Sequence, residues 1–277
     1  MKKLLINSVL LVFLTGCAGI ERLAIPNPTL IDEELVGSGR SGEPDHGVWD
    51  RFLKTYLRED TEGPARVAYA QVSAQDRAGL DQYIAALSSL DASQWNRDAQ
   101  LAYWANLYNA KTVSVILEYY PVDSIRQIKN GLLDLGPWND KRLTVNGRSL
   151  SLHNIEHGIV RPLWPETPEI HYILNCAAVG CPTLVNYAYD ADNIAAALQT
   201  NAQTFINSDR GITVDERGRL VLSKIYLWYL DDFGGSRSAL VEHLLEYASG
   251  ATRKKIADGR SPVRYAYDWS LNEAVKR

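Results

Sequence analysis

This chain of 277 residues has no excess of basic charge, and several common catalytic motifs are missing. Its 29 Lys and Arg face 33 Asp and Glu, which gives a net charge of −4. The chain therefore lacks the basic field that collects nucleic acid, and we expect no nucleic-acid partner. It also has no Walker A loop, no H-E-x-x-H, no G-x-S-x-G and no EF-hand loop. The sequence predicts no cofactor and no metal.

Phenylalanine and methionine are rare, and tyrosine and tryptophan are abundant. There are 15 Tyr and 7 Trp against 4 Phe and one Met, which is the first residue. This bias indicates aromatic packing around a cleft. Hydrophobic residues make up 46% of the chain and charged residues 22%. That balance is ordinary for a globular protein and excludes wholesale disorder, collagen and coiled coil.

The first residues are typical of a targeting segment. Lys2 and Lys3 precede an apolar stretch over 4–14 that is too short to span a bilayer. The run from Leu14 to Cys17 resembles a bacterial lipobox; the alternative is a plain secretory signal with an incidental cysteine. We expect a signal peptide over 1–16, acylation of Cys17, and a membrane as partner through this lipid anchor. Ala18 in place of Asp favours the outer membrane, facing the periplasm.

Proline and glycine interrupt the hydrophobic periodicity over 17–47. This composition predicts a flexible tether that follows the lipidated cysteine. No second linker or repeat follows, so 48–277 is predicted to be a single globular domain. Helices come first and hairpins later, which favours an α+β fold: a helical N-terminal half packed on a small, mainly antiparallel sheet. Cysteine-peptidase-like and transglutaminase-like folds are candidates within this class.

Hydrophobic periodicity and turn residues predict the individual elements. The longest helical pattern is apolar on almost every side and should be central and buried. The predicted helices cover 48–57, 74–90, 97–119, 152–160, 190–207 and 236–248; the predicted hairpins cover 142–152 and 211–222; the predicted single strands cover 169–175 and 263–269.

Cys176 and Cys181 follow the predicted strand 169–175, where a strand end meets a turn. An exported protein meets an oxidising compartment, so the two can form a disulfide. A thiol at this position could instead be a nucleophile, or the cysteines could hold a metal together with histidines. Spacing alone leaves these alternatives open.

Two histidines are candidate partners for Cys176. His157 follows Glu156 in the predicted helix 152–160, where adjacent side chains point about 100° apart, so Glu156 is poorly placed to orient it. His171 lies an odd number of residues before Cys176, which puts the two on opposite faces of a strand. His157 is therefore the better general base and His171 the reserve.

Two amides, Asn106 and Asn109, interrupt the apolar helix 97–119. A buried amide must find hydrogen-bond partners. Either amide orients an imidazole or stabilises an oxyanion, or it bonds to the backbone of a neighbouring loop. The acidic pair Asp231 and Asp232 beside aromatic residues is interpreted as a chain turn.

Four motifs in order resemble the domain-of-unknown-function family 547 (DUF547), and the resemblance covers about residues 49–272. The family has no assigned activity. The resemblance implies an exported or lipid-anchored bacterial protein, and a recurrent Glu-His pair and first cysteine. Relatives with Ser in place of Cys181 favour a role for Cys176 that does not need it. The motifs are RDAQLAYWANLYNA at 97–110, LHNIEH at 152–157, IHYILNCAAVGCP at 170–182 and YDWSLN at 267–272.

The resulting hypothesis is a membrane-anchored periplasmic lipoprotein with a Cys-dependent hydrolase or acyltransferase activity on an amide or ester. Cys176 is the nucleophile and His157 the base, with Glu156 or Asn109 orienting the ring. A small molecule, a peptide or an envelope component could be the substrate. The alternative is a non-enzymatic binding or scaffold domain closed by a Cys176–Cys181 disulfide.

Overall fold

The computed structural model describes residues 25–31, 39, 42–59, 63–129, 131 and 135–274. The predicted signal peptide and the predicted lipidation site, Cys17, lie outside these residues. Of the helices in the described part of the chain, none is both long and apolar enough to cross a membrane.

The helix predicted over 97–119 is confirmed, and it is the centre of the larger of two hydrophobic cores. The Asn96 side chain caps it by accepting a hydrogen bond from the backbone N–H of Ala99 at 2.9 Å. Because this helix is buried along nearly its whole length, the other N-terminal helices pack around it. The helices are α1 (Gly47–Tyr56), α2 (Ala74–Ser88), α3 (Arg97–Tyr119), α4 (Leu152–Ile155), α5 (Arg161–Leu163), α6 (Ile194–Ile206), α7 (Ile225–Trp228), α8 (Arg237–Tyr247) and α9 (Gly250–Asp258).

Both predicted hairpins are confirmed, and the fold is α+β. Asn146 and Gly147 both have positive φ, 47° and 77°, as a tight two-residue hairpin turn requires. The last strand, however, runs parallel to its neighbour in the order β5-β6-β7, so this sheet is only partly antiparallel. The strands are β1 (Leu57–Arg58), β2 (Arg66–Val67), β3 (Leu143–Val145), β4 (Arg148–Leu150), β5 (Ile212–Val214), β6 (Arg219–Ser223) and β7 (Arg260–Ala266).

The strand predicted over 169–175 is wrong. The segment is a 3₁₀ helix, Pro168–Tyr172, followed by irregular chain. Pro168 supplies the fixed φ that suits a first helical turn. The aromatic and β-branched residues that suggested a strand are buried on all sides instead. Since there is no strand here, strand alternation does not place His171 and Cys176 on opposite faces.

The helix predicted over 152–160 contains a π-turn. The segment Glu156–Val160 is π-helical and lies between α4 and α5. Residues 25–31, which the sequence assigned to the tether, lie against this turn: the N–H of Ile31 donates to the carbonyl of Gly158 at 2.9 Å. A Cβ at Gly158 would come within 2.5 Å of the Ile31 side chain, so glycine is what permits this close approach.

The two cysteines lie in a loop that the C-terminal segment holds in place. The N–H of Gly180 donates to the carbonyl of Asp268 at 2.8 Å, and the N–H of Asn272 donates to the carbonyl of Ala177 at 3.0 Å. Ala177 has a φ of 61°, an uncommon conformation for a non-glycine residue. The loop therefore depends on contacts with a distant part of the chain.

Replacing Gly180 with alanine should disturb this docking. A Cβ there would lie 2.8 Å from the backbone nitrogen of Asp268, and overpacking of this kind costs about 1–3 kcal/mol. Gly79 is the matched control, since it lies inside α2 and a Cβ added to it would meet nothing within 4 Å. G79A should stabilise the protein by about 0.5–1 kcal/mol. Denaturant unfolding measures both, and equal effects would contradict the docking account.

Candidate functional site

A cleft of about 290 Å³ lies between the two hydrophobic cores. It brings together four of the five predicted catalytic residues, Glu156, His157, His171 and Cys176, with the candidate disulfide partner Cys181. Asn109 does not line it. A largely apolar cleft with several convergent titratable groups is the usual form of a binding or catalytic site.

Glu156 is held between two tyrosine hydroxyls. Tyr108 donates to Oε2 at 3.0 Å, and Tyr229 donates a short hydrogen bond to Oε1. Burial raises the pKa of Glu156, but the charge that His157 carries when it is protonated and the hydrogen bonds from the two phenols outweigh burial, so this pKa is lowered. The cleft therefore contains a carboxylate in its charged form.

Arg161 and Asp232 form a buried ion pair beside Glu156. Nε of Arg161 lies 2.6 Å from Oδ2 of Asp232, and Nη2 lies 2.8 Å from Oδ1. The third arm of the guanidinium, Nη1, donates to the carbonyl of Pro26 at 2.8 Å. Burial raises the pKa of Asp232, but hydrogen bonds from His171 and Arg161 reverse this and hold it well below its usual value.

His157 is a hydrogen-bond acceptor at Nδ1. Nη1 of Arg161 lies 3.0 Å from this atom, and a guanidinium can only donate. The neutral ring therefore carries its proton on Nε2. Burial, opposed by Glu156, lowers the pKa of His157 to about 4. At neutral pH this imidazole is a neutral donor, which does not suit the general-base role that was predicted for it.

His171 has the partner that a general base needs. Its Nε2 lies 2.7 Å from Oδ2 of Asp232, and because that carboxylate is charged, Nε2 carries the proton and donates it. The other ring nitrogen, Nδ1, then has the free lone pair. The ring is further fixed by stacking on Tyr229, with centroids 3.9 Å apart. The reserve base of the sequence analysis is thus better oriented than His157.

Cys176 and Cys181 form a disulfide, with Cα atoms 6.2 Å apart. The hydroxyl of Tyr267 lies 3.1 Å from Sγ of Cys176 and 3.0 Å from Sγ of Cys181. Cys176 is partly exposed to the cleft, whereas Cys181 is buried. In this state neither sulfur is a free thiol, so a nucleophilic role for Cys176 requires reduction first.

The Asn109 side chain forms hydrogen bonds with backbone groups and not with an imidazole. Its amide nitrogen donates to the carbonyl of Ile173 at 2.8 Å, and its oxygen accepts from the N–H of Asn175 at 2.8 Å. Asn106 makes the same pair of bonds to the backbone of Tyr189. The catalytic role considered for Asn109 is therefore replaced by a positioning role: it fixes the chain that leads into Cys176.

Several residues of the site are not evident from the sequence. Asp232 carried a local signal, an acidic turn beside aromatic residues, but it was interpreted as a chain turn alone. The other residues carry no local signal in the sequence, because their partners lie far away along the chain. The one near partner is His157, which Arg161 contacts. These other residues are Tyr108, Arg161, Tyr229 and Tyr267.

Within the described residues, no group of three or more His, Cys, Asp or Glu side chains could hold a metal ion.

Residues 92–206 match a family model described as "Protein of unknown function, DUF547". The match supports this domain family for the part of the chain from just before α3 to the end of α6. It includes Glu156, His157, His171 and both cysteines of the cleft, whereas Asp232 lies beyond it. Neither a curated protein nor a solved structure matches the chain.

The lowered pKa of His157 predicts acid sensitivity. An unfolded chain takes up this proton near pH 6.5, and the folded chain does so only near pH 4. The stability due to neutral His157 is therefore fully present above pH 6.5 and is lost as the pH falls toward 4. Between these two pH values, protonation of His157 lowers the free energy of unfolding by about 1.4 kcal/mol per pH unit.

In H157Q the free energy of unfolding should fall less steeply between pH 6.5 and 4, by up to about 1.4 kcal/mol per pH unit. Denaturant titrations at several pH values measure this slope. Gln can still accept from Arg161, so folding is expected to survive. H153Q is the control: burial also lowers the pKa of His153, but this ring is only half-buried and its loss should change the slope less. An unchanged slope in H157Q would contradict the account.

Proposed function

We propose that the cleft is the active site of a cysteine-dependent hydrolase or acyltransferase that acts on an amide or an ester. The observation that carries the proposal is the shared lining of one cleft by Cys176 and by the His171 ring, which is oriented by Asp232. A nucleophile and a base in one site, with the base oriented by a third group, is the arrangement of covalent catalysis.

The reaction begins with reduction of the Cys176–Cys181 disulfide. A dithiol reductant supplies two electrons and two protons, and the disulfide becomes two thiols while the dithiol becomes a disulfide. Cys176 is the sulfur that meets substrate, because it is partly exposed to the cleft and Cys181 is buried. The buried Cys181 is the resolving thiol: a disulfide oxidant that takes up two electrons and two protons from the two thiols restores the Cys176–Cys181 bond.

In the reduced protein, Nδ1 of His171 takes the proton of the Cys176 thiol, and the thiolate attacks the substrate carbonyl carbon. The C–N or C–O bond then breaks, and the imidazolium returns the proton to the leaving amine or alcohol. The remaining thioester is cleaved by water in a hydrolase, or by an acceptor amine or alcohol in an acyltransferase. Each route regenerates the thiol.

Neutral donors near the sulfur support the stabilisation of an oxyanion. The Tyr267 hydroxyl lies 3.1 Å from Sγ of Cys176, and the Nε2–H of His157 belongs to a ring that lines the same cleft. Donors held in place before the reaction stabilise developing charge without a reorganisation cost. His157 thus has a role in the proposed mechanism that differs from general base catalysis.

The second candidate function is a non-enzymatic binding or scaffold domain. It is favoured by the disulfide itself and by the aromatic residues of the cleft, which would hold a ligand without covalent chemistry.

Under either function, we propose that the protein is lipid-anchored at Cys17 in the bacterial envelope, on the periplasmic side of the outer membrane. The lipobox-like run that ends at Cys17 supports this placement.

The two cysteine variants give a matched test of the enzymatic proposal. C181S leaves Cys176 as a free thiol, so it should hydrolyse a small ester such as p-nitrophenyl butyrate without reductant. C176S should be inactive with or without dithiothreitol, a difference of at least about a hundredfold. Both variants lose the same disulfide and the same contribution of about 2–3 kcal/mol at most. Equal rates in the two variants would favour the binding domain.

Lipid anchoring predicts partition into detergent. When the full chain is expressed in a bacterium and extracted with Triton X-114, the wild type should enter the detergent phase, because two or more acyl chains give stable anchoring. C17A should remain in the aqueous phase. If both proteins stay in the aqueous phase, the anchor is absent.

A further inference from the structure

Four aromatic rings form a continuous wall on one side of the cleft, named here the aromatic wall: Trp138, Trp228, Tyr267 and Trp269. Neighbouring ring centroids are 4.6 Å apart between Tyr267 and Trp269 and 4.8 Å apart between Trp228 and Tyr267. All four are only partly buried. A half-exposed cluster of large aromatic side chains marks a surface that meets a ligand.

This wall already takes part in one cation–π contact. The guanidinium of Arg126 lies 5.1 Å from the centroid of the Trp269 ring, within the range in which an aromatic face attracts a positive charge. Trp269 is the central ring of the wall, because its centroid lies 4.6 Å from that of Tyr267, 5.6 Å from that of Trp228 and 5.7 Å from that of Trp138. Tyr267 lines the same cleft as Glu156, and burial together with the charge of Glu156 raises the pKa of Tyr267.

Within the part of the chain that the structure describes, Glu156 forms no ion pair with an Arg or Lys side chain. Both of its hydrogen-bond donors, Tyr108 and Tyr229, are neutral phenols. The nearby guanidinium of Arg161 is engaged through two arms by Asp232. Glu156 is partly exposed to the cleft, so its charge is presented to whatever enters.

We propose that the cleft recognises its substrate through an organic cation, a primary ammonium group that binds between Glu156 and the Tyr267 ring of the aromatic wall. This proposal deepens the proposed function, on which it rests, because it names the substrate class as an amide or ester that carries an amine. The carboxylate supplies the charge pairing, and the rings supply cation–π attraction.

The size of the cleft limits the ligand. A cavity of about 290 Å³ is at the small end of the range for ligand sites. It accommodates one amine-bearing side chain or a small arylalkylamine, and the rest of a larger substrate would extend outside. A peptide or envelope component with a free amine meets this requirement.

Binding of 2-phenylethylammonium and of its neutral counterpart 2-phenylethanol to the oxidised protein tests the proposal by calorimetry. The two probes have nearly the same size, so a difference reports the charge. The wild type should bind the ammonium at least about tenfold more tightly than the alcohol. E156Q should lose this preference while its affinity for the alcohol stays within about threefold.

Glu166 supplies the matched control, because it is exposed and lies outside the cleft lining. E166Q should keep the full preference for the ammonium. A third probe, 3-phenylpropionate, needs no variant and should bind wild type less tightly than the alcohol does. Equal binding of ammonium and alcohol, or a preference that survives in E156Q, would overturn the proposal.

The test separates this inference from the proposed reaction. Binding to the oxidised protein involves no thiol, so its result does not depend on whether Cys176 is a nucleophile. If C181S hydrolyses esters but the ammonium has no advantage, only the substrate class is wrong. If the ammonium binds as expected and C181S is inactive, the site is a cation-binding site without thiol catalysis.

Discussion

The buried guanidinium of Arg161 is the constraint on which the site depends. A cation that is 3% exposed is tolerated only when its donors are matched by acceptors. Its acceptors come from three separate parts of the chain: the carbonyl of Pro26, Nδ1 of His157 and the carboxylate of Asp232. Because one buried charge must be satisfied, the N-terminal segment, the π-turn and the acidic turn meet at the same place.

Irregular backbone near the site is stabilised by buried amide side chains. The chain over 173–182 is neither helix nor strand, so its polar groups need partners from elsewhere. Asn109 bonds to the backbone at the start of this segment, and Asn175 donates to the carbonyl of Pro182 at 2.7 Å. The Asn272 side chain adds a bond to Asn175 at 3.3 Å. Amide side chains therefore add to the backbone hydrogen bonds by which the C-terminal segment holds the cysteine loop.

Local chemistry explains which parts of the fold could be predicted from the sequence. The helix α3 follows from an uninterrupted apolar pattern and an Asn cap, and the β3–β4 hairpin follows from Asn146 and Gly147. The prediction for segment 169–175 failed because aromatic and β-branched residues suit any fully buried chain, and only Pro168 distinguished a 3₁₀ turn from a strand.

The site was predicted only in part because its electrostatics is non-local. Periodicity places Glu156 and His157 on one short helix, but it cannot reveal the π-turn that contains them. Asp232 contacts Arg161 across 71 residues and His171 across 61. No spacing in the sequence links these positions, so the identity of the better base could not be derived before the fold was known.

The Arg161–Asp232 pair gives the two imidazoles opposite roles. Arg161 donates to Nδ1 of His157, which leaves an N–H on the other nitrogen of that ring. Asp232 accepts from Nε2 of His171, which leaves a lone pair on the other nitrogen of this second ring. One ring thus offers a proton donor and the other a proton acceptor, and the difference arises from the sign of the partner. A single ion pair thus gives two chemically identical side chains opposite hydrogen-bonding roles, and in the proposed mechanism one ring accepts the thiol proton while the other stabilises the developing negative charge.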